Sequence, residues 1–238
     1  MLAAPLAGLV AWALGALSGP MQLLQPLPFA WPAVAVATWI VLAWLLRLEP
    51  APRAGAVSWS GLSKLFHWVA ALAILGTTAL MYYMTNLGDT AHDLELRARY
   101  AQLLKLHKSI GLIALFLVAF RVAWNHLRAR PPLPAGTTPA QARTVALAHG
   151  ALYLGMLAVP LLGWTASMTY GGRTSFFGLF ELPVWLPKDD KAVAILHPAH
   201  IWSSWALLAL VGGHAAVALW HHLAKRDATL VQMLPGRR

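Results

Sequence analysis

Long apolar stretches alternate with short polar and proline-rich links along this chain. Six of these stretches reach or approach the roughly 17–25 residues that a helix needs to cross a bilayer core about 30 Å thick. We predict membrane-spanning helices at about residues 2–18, 32–47, 62–84, 107–124, 145–168 and 199–222. The pattern therefore predicts an all-α integral membrane protein.

Composition agrees with a membrane protein. The chain has 238 residues, of which 59% are hydrophobic and 11% charged, and this balance differs from that of soluble domains. It contains no cysteine. Disulfides, cysteine-ligated iron–sulfur clusters and covalent c-type haem are therefore excluded, and any haem has to be bound noncovalently.

The charged residues predict the orientation. The net charge of +10 would suggest a nucleic-acid partner in a soluble protein, but here the charges lie in the links, so we expect none. One side of the predicted helices carries eleven basic and two acidic residues, and the other carries seven basic and six acidic residues. Because Lys and Arg are enriched on the cytoplasmic side of membrane proteins, we expect both termini to be cytoplasmic. The N-terminal stretch has no Lys or Arg before its apolar run, so we expect a retained helix and not a secretory signal.

Four histidines lie at two depths of the predicted bundle. His200 and His214 are fourteen residues apart, so both lie on one helix face about 21 Å apart along the axis. His67 lies near the cytoplasmic side, and we expect His107, like His200, to begin its helix at the outer surface. Depth alone therefore pairs His67 with His214 and His107 with His200.

Ionisable side chains inside a membrane are costly and mark function. Interhelical hydrogen bonding is the alternative explanation for any single one of these histidines, but here it would have to hold four times at matched depths. Four neutral imidazoles at two depths are what two bis-histidine haems require.

Other residues leave alternatives open. His197 competes with His200 as a ligand, and His149 is either a polar contact near a haem edge or part of a helix interface. Arg121 either neutralises a haem propionate or extends to the interface as a topology determinant. Gly111, one turn after His107, either leaves room for a macrocycle or serves a helix contact. We interpret His92, His126, His221 and His222 as surface residues.

Several motifs together resemble one known family. In chain order they are SKLFHW, LLKLHKSIG, AHGALYLGMLAVPLLGW, SFFGLFELP and HAAVALWHHLAKRDATLVQMLPG. Over about residues 58–236 the chain resembles bacterial cytochrome b561, a four-helix dihaem family of the inner membrane. The resemblance implies two b-type haems ligated by His67, His107, His200 and His214, and ubiquinone as a partner. It also implies that superoxide is the electron donor in some members. Residues 1–50, with the first two predicted helices, form an extension outside the resemblance.

Three functions compete. The first is an oxidoreductase that passes single electrons from a donor at the outer face, with superoxide the leading candidate, to membrane ubiquinone. Against it, the outer loops are nearly neutral, and Arg97, Arg99, Lys105 and Lys108 form either a local basic patch or a solvated face. The second is an electron-relay subunit of a hydrogenase- or dehydrogenase-like complex, docked through residues 1–50. The third, a haem-free transporter, is disfavoured because the predicted helices carry no carboxylate in their interior.

Overall fold

Four long helices form the described part of the protein. The computed structural model describes residues 58–87, 92–127, 131–134 and 136–234. Its helices are α1 (Gly61–Thr85), α2 (Leu94–Leu127), α3 (Pro139–Thr169) and α4 (Asp190–Trp220). The two additional helices predicted within residues 1–50 lie outside the described residues.

Each of these four helices is long and apolar enough to cross a membrane. The shortest, α1, has 25 residues and extends about 37 Å, which exceeds a hydrocarbon core of about 30 Å. The third to sixth predicted helices are therefore confirmed, and the described part is an all-α membrane bundle.

Helices α2 and α4 begin well before their apolar stretches. We predicted starts near residues 107 and 199, but the helices begin at Leu94 and Asp190. Carboxylates start both: Asp93 accepts hydrogen bonds from the first-turn backbone of α2, and Asp189 caps α4. Hydropathy marks only the part of a helix that lies in lipid, whereas a capped helix continues into water. The expectation that His107 and His200 begin their helices is therefore wrong.

The helices pack in chain order. Helix α1 contacts α2, α2 contacts α3, and α3 contacts α4 most extensively. An aromatic cluster joins α1 to α2, with the ring of Phe66 centred 4.7 Å from that of Phe120 and 6.3 Å from that of Trp124. On α4 only Leu207 is buried. Most apolar side chains of α4 are therefore left to face lipid or neighbouring groups outside the protein packing.

A short hairpin covers the end of the bundle between α3 and α4. Strands β1 (Ser175–Phe176) and β2 (Phe180–Glu181) pair antiparallel. The fully buried Ser109 of α2 holds the hairpin, since its hydroxyl accepts a hydrogen bond from the Phe177 amide (2.9 Å) and lies 3.1 Å from the Ser175 carbonyl oxygen. The pattern of apolar residues does not predict this hairpin.

The described C-terminal segment folds back on α1. A π-helical turn (His221–Lys225) ends at Arg226, whose φ of 55° lies in the left-handed region, and a 3₁₀ turn follows at Val231–Met233. The Trp68 indole N–H donates to the Met233 carbonyl at 2.9 Å. The segment after α4 is therefore bonded to α1.

Candidate functional site

The first histidine pair joins α1 to α4. The ring centroids of His67 and His214 lie 6.2 Å apart, with 62° between the ring planes. The Nδ1 atom of His67 is buried and has no hydrogen-bond partner within the described residues. A third ring, that of His149 on α3, is centred 5.5 Å from that of His214, and its Nδ1 donates to the Val145 carbonyl of its own helix. The structure therefore brings His149 beside the pair.

The second pair joins α2 to α4. The ring centroids of His107 and His200 lie 6.3 Å apart, and the ring planes are nearly perpendicular at 84°. The Nδ1 atom of His200 lies 2.9 Å from the Val159 carbonyl oxygen of α3. Because a carbonyl oxygen only accepts, Nδ1 carries the proton and Nε2 keeps a free lone pair. His197, the competing candidate, is exposed.

The ring separations fit a metal ion between the members of each pair. Imidazole nitrogen binds a metal ion such as zinc at roughly 2.0–2.1 Å. Two rings bound on opposite sides of one ion therefore have centroids roughly 6 Å apart. In the described part of the chain, no group of three or more His, Cys, Asp or Glu side chains is placed to hold a metal. Two protein ligands are too few for a structural zinc site. An iron that is already held by a porphyrin takes two ligands from the protein.

Glycine leaves space next to the second pair. A Cβ atom added at Gly111, four residues after His107 on the same helix face, would meet no atom within 4 Å. Together with the two ring separations and the buried, unpartnered Nδ1 of His67, this open surface fits a large planar group. The residues present therefore fit noncovalent haem.

A half-buried cation lies near the first pair. Arg121 is within electrostatic range of His67 and His214, and its buried Nε has no hydrogen-bond partner among the described residues. Its guanidinium carbon lies 5.8 Å from the Tyr153 ring centroid, and the Tyr153 hydroxyl accepts a hydrogen bond from Asn125 at 2.8 Å. This arrangement suits a carboxylate partner for Arg121 better than an extension into water.

The four basic residues predicted as an outer patch do not share one environment. Arg97, Arg99 and Lys105 are exposed. Lys108 is half-buried, and its ammonium donates to the Ser167 hydroxyl at 2.7 Å. Lys108 therefore fastens α2 to α3, and the other three form the solvated face.

Of the remaining histidines, one lies in an unexpected environment. His92, His126 and His222 are exposed as predicted. His221, also predicted to be a surface residue, is half-buried and pairs with Asp227. Burial raises the pKa of Asp227, but hydrogen bonds from Thr229 and His221 outweigh it and lower the pKa to about 2. The pair closes the π-helical turn and has no contact with the two histidine pairs among the described interactions.

Comparison with known proteins gives the family. The family model of prokaryotic cytochrome b561 matches residues 58–236. Cytochrome b561 homolog 2 of Escherichia coli K12 is 32% identical over 174 residues, covering 73% of this chain and 89% of the relative. Cytochrome b561 homolog 1 of the same organism is 28% identical, covering 72% of this chain and 94% of the relative.

A more distant relative carries a functional name. It is the probable superoxide oxidase CybB of Yersinia pestis, which is 26% identical over 137 residues and covers 56% of this chain and 75% of the relative. The family match implies a bacterial membrane protein that binds b-type haem and takes part in membrane electron transfer. With its bundle of apolar helices and its paired imidazoles, this chain belongs to the prokaryotic cytochrome b561 family.

Proposed function

We propose that this protein is a dihaem b-type cytochrome that transfers single electrons from a donor at the outer face to membrane ubiquinone, and that the donor is superoxide. In the overall reaction two superoxide anions are oxidised to two molecules of O₂, and one ubiquinone takes up the two electrons and two protons to become ubiquinol. The printed name of the Yersinia pestis relative supports superoxide as the donor.

The observation that carries the proposal is the pairing of imidazoles. His67 with His214, and His107 with His200, have ring centroids 6.2 and 6.3 Å apart. In each pair the two rings come from different helices, so the bundle itself has to form before either pair exists. We assign these four residues as axial ligands of two noncovalent haems.

Two histidines would hold each haem, and haem held in this way would supply one-electron transfer, because no ligand position would be left for oxygen. The protein residues hold and orient the ligands. The Val159 carbonyl fixes the tautomer of His200, and we assign the Arg121 guanidinium as the partner of a propionate. The α4 ligands are fourteen residues apart, which is about 21 Å along the helix. One haem would therefore lie nearer each surface of the membrane.

The charge distribution supports the orientation. We propose that the protein is an inner-membrane protein with both termini in the cytoplasm, which turns His107 and His200 toward the outer face. We further propose that residues 1–50 form a separate unit of two membrane-spanning helices and that residues 58–236 form the cytochrome domain.

An absorption spectrum of the purified protein with a pyridine haemochrome assay tests the cofactor. We expect a Soret band and two haems per chain. The absence of a Soret band, or a count of one, would overturn the dihaem assignment.

Rapid mixing tests the activity. With superoxide and a ubiquinone analogue, we expect the haem to be reduced and reoxidised, with ubiquinol formed at one equivalent per two superoxide anions. The family model leaves residues 1–57 unmatched, which supports an alternative, a relay subunit that docks a redox partner protein through residues 1–50. Haem that is inert toward both substrates until a hydrogenase- or dehydrogenase-like partner is added would favour the relay.

A further inference from the structure

One glycine of α3 lies unusually close to a proposed haem ligand. A Cβ atom added at Gly163 would lie 2.8 Å from Cε1, 3.0 Å from Nδ1 and 3.3 Å from Nε2 of His200. Real Cβ atoms essentially never approach another heavy atom to less than 3.0 Å. The imidazole edge of His200 therefore rests on the bare Cα of Gly163, and no other residue type leaves this space.

The same helix turn also holds the ring through a hydrogen bond. Val159 precedes Gly163 by four residues, so both lie on one face of α3. The Val159 carbonyl accepts from Nδ1 of His200 at 2.9 Å. One turn of α3 thus contacts the ring twice, with an acceptor at one nitrogen and a glycine surface beneath the Cε1 edge.

Two of the other proposed ligands lack such a hydrogen bond at their Nδ1 atoms. The Nδ1 atoms of His67 and His107 are buried without hydrogen-bond partners in the described part of the chain. Of these three Nδ1 atoms, only that of His200 has a hydrogen-bond partner in the described part of the chain, although the His107 ring also interacts with the backbone of Thr77 on α1.

We propose that Gly163 is a positioning residue that, together with the Val159 carbonyl, sets the plane and the tautomer of His200. The inference rests on the proposed function, because it concerns the orientation of a haem ligand. A methyl group at residue 163 forces the His200 ring to turn or to move away. The helix backbone that carries the methyl group cannot shift as easily as a side chain. Turning the ring breaks the bond to Val159 or changes the angle of 84° to the His107 ring.

The relative orientation of two axial imidazoles affects the electron paramagnetic resonance signal of low-spin ferric haem and its reduction potential. A substitution that acts only on His200 therefore alters one of two haem signals and spares the other. A general packing defect alters both.

Gly163→Ala is the test, and Gly155→Ala is its matched control. Gly155 lies two turns earlier on α3 and also faces α4, but its added Cβ would meet the flexible Leu207 side chain, with the nearest atom at 3.1 Å. Both substitutions favour a helix equally. We would record low-spin ferric signals and redox titrations of the full-length protein in isolated membranes, which avoids losses during purification.

We expect Gly163→Ala to shift the resonance signal and the midpoint potential of one haem, with the second haem unchanged, and Gly155→Ala to shift neither. The inference is overturned if Gly163→Ala matches the wild type, if both signals shift or disappear together, or if the two variants behave alike. A wild-type protein with no low-spin signal contradicts the proposed function instead, so the two failures are distinguishable.

Discussion

At the scale of single residues, the four histidines that we propose as ligands form two separate pairs. Each pair depends on two side chains from different helices, so removing one imidazole leaves its partner without a second ligand. Helix α4 supplies His214 to the pair with His67 and His200 to the pair with His107. Single substitutions therefore separate the two centres.

We predict that His200→Ala removes one haem and leaves the other, and that His67→Ala removes the opposite haem. A pyridine haemochrome count near half of the wild-type value, with a different midpoint potential surviving in each variant, is the expected result. The exposed His197 and His126 are suitable controls, whose alanine variants should keep both haems. If each ligand variant lost both haems or neither, the pairing would be incorrect.

A second prediction concerns Asp227. Its pKa, lowered to about 2 in the folded protein, lies below the ordinary carboxyl value of about 4. Its contribution to the folded segment is therefore complete above about pH 4 and is lost as the pH falls toward 2. A spin label on a cysteine at the exposed Ala228 should gain mobility in that range.

The Asp227→Asn variant supplies the comparison. It should give a mobile label already at pH 7, because the amide loses the charge that interacts with His221, and the mobility should then change little on acidification. An unchanged acid transition in this variant would show that another group carries it.

Residue-scale prediction from the sequence had a clear limit. Spacing on one helix and depth along the chain predicted that His67 pairs with His214 and His107 with His200, and the structure brings the rings of each pair together. Val159 and Gly163 were missed, since the first acts through its backbone carbonyl and the second through a missing side chain. A sequence pattern contains neither feature.

At the scale of elements, hydropathy predicted where helices cross the membrane but not where they begin. The first turns of α2 and α4 carry charged residues and are capped by the carboxylates of Asp93 and Asp189, so an apolar window does not detect them. The hairpin of β1 and β2 was missed for a related reason. It has two residues in each strand and depends on Ser109, which is 66 residues away from Ser175 along the chain.

We predict that Ser109→Ala destabilises the protein by about 1–3 kcal/mol, because it leaves the Phe177 amide without its buried acceptor. Thermal unfolding of the detergent-solubilised protein, followed by circular dichroism, measures the change. Thr165→Ala is the control: its hydroxyl bonds only to carbonyl groups of its own helix, and its removal should cost much less. Equal losses would mean that Ser109 does not fasten the hairpin.

At the scale of the whole molecule, the proposed orientation decides which histidine pair would lie nearer the proposed electron donor. The chain has no cysteine, so each introduced cysteine is a unique label. We predict that a cysteine at the exposed Val184 reacts with a membrane-impermeant maleimide added outside spheroplasts, and that one at the exposed Ala140 reacts only after lysis. The reverse pattern would invert the topology and put His67 and His214 at the donor side.

Helix α4 carries one imidazole of each pair, and this has a consequence for how the protein tolerates change. Adding one residue anywhere between positions 200 and 214 would rotate one ring about 100° relative to the other, so both centres cannot stay assembled. The number of residues between the two rings is therefore fixed by the requirement that both proposed centres form.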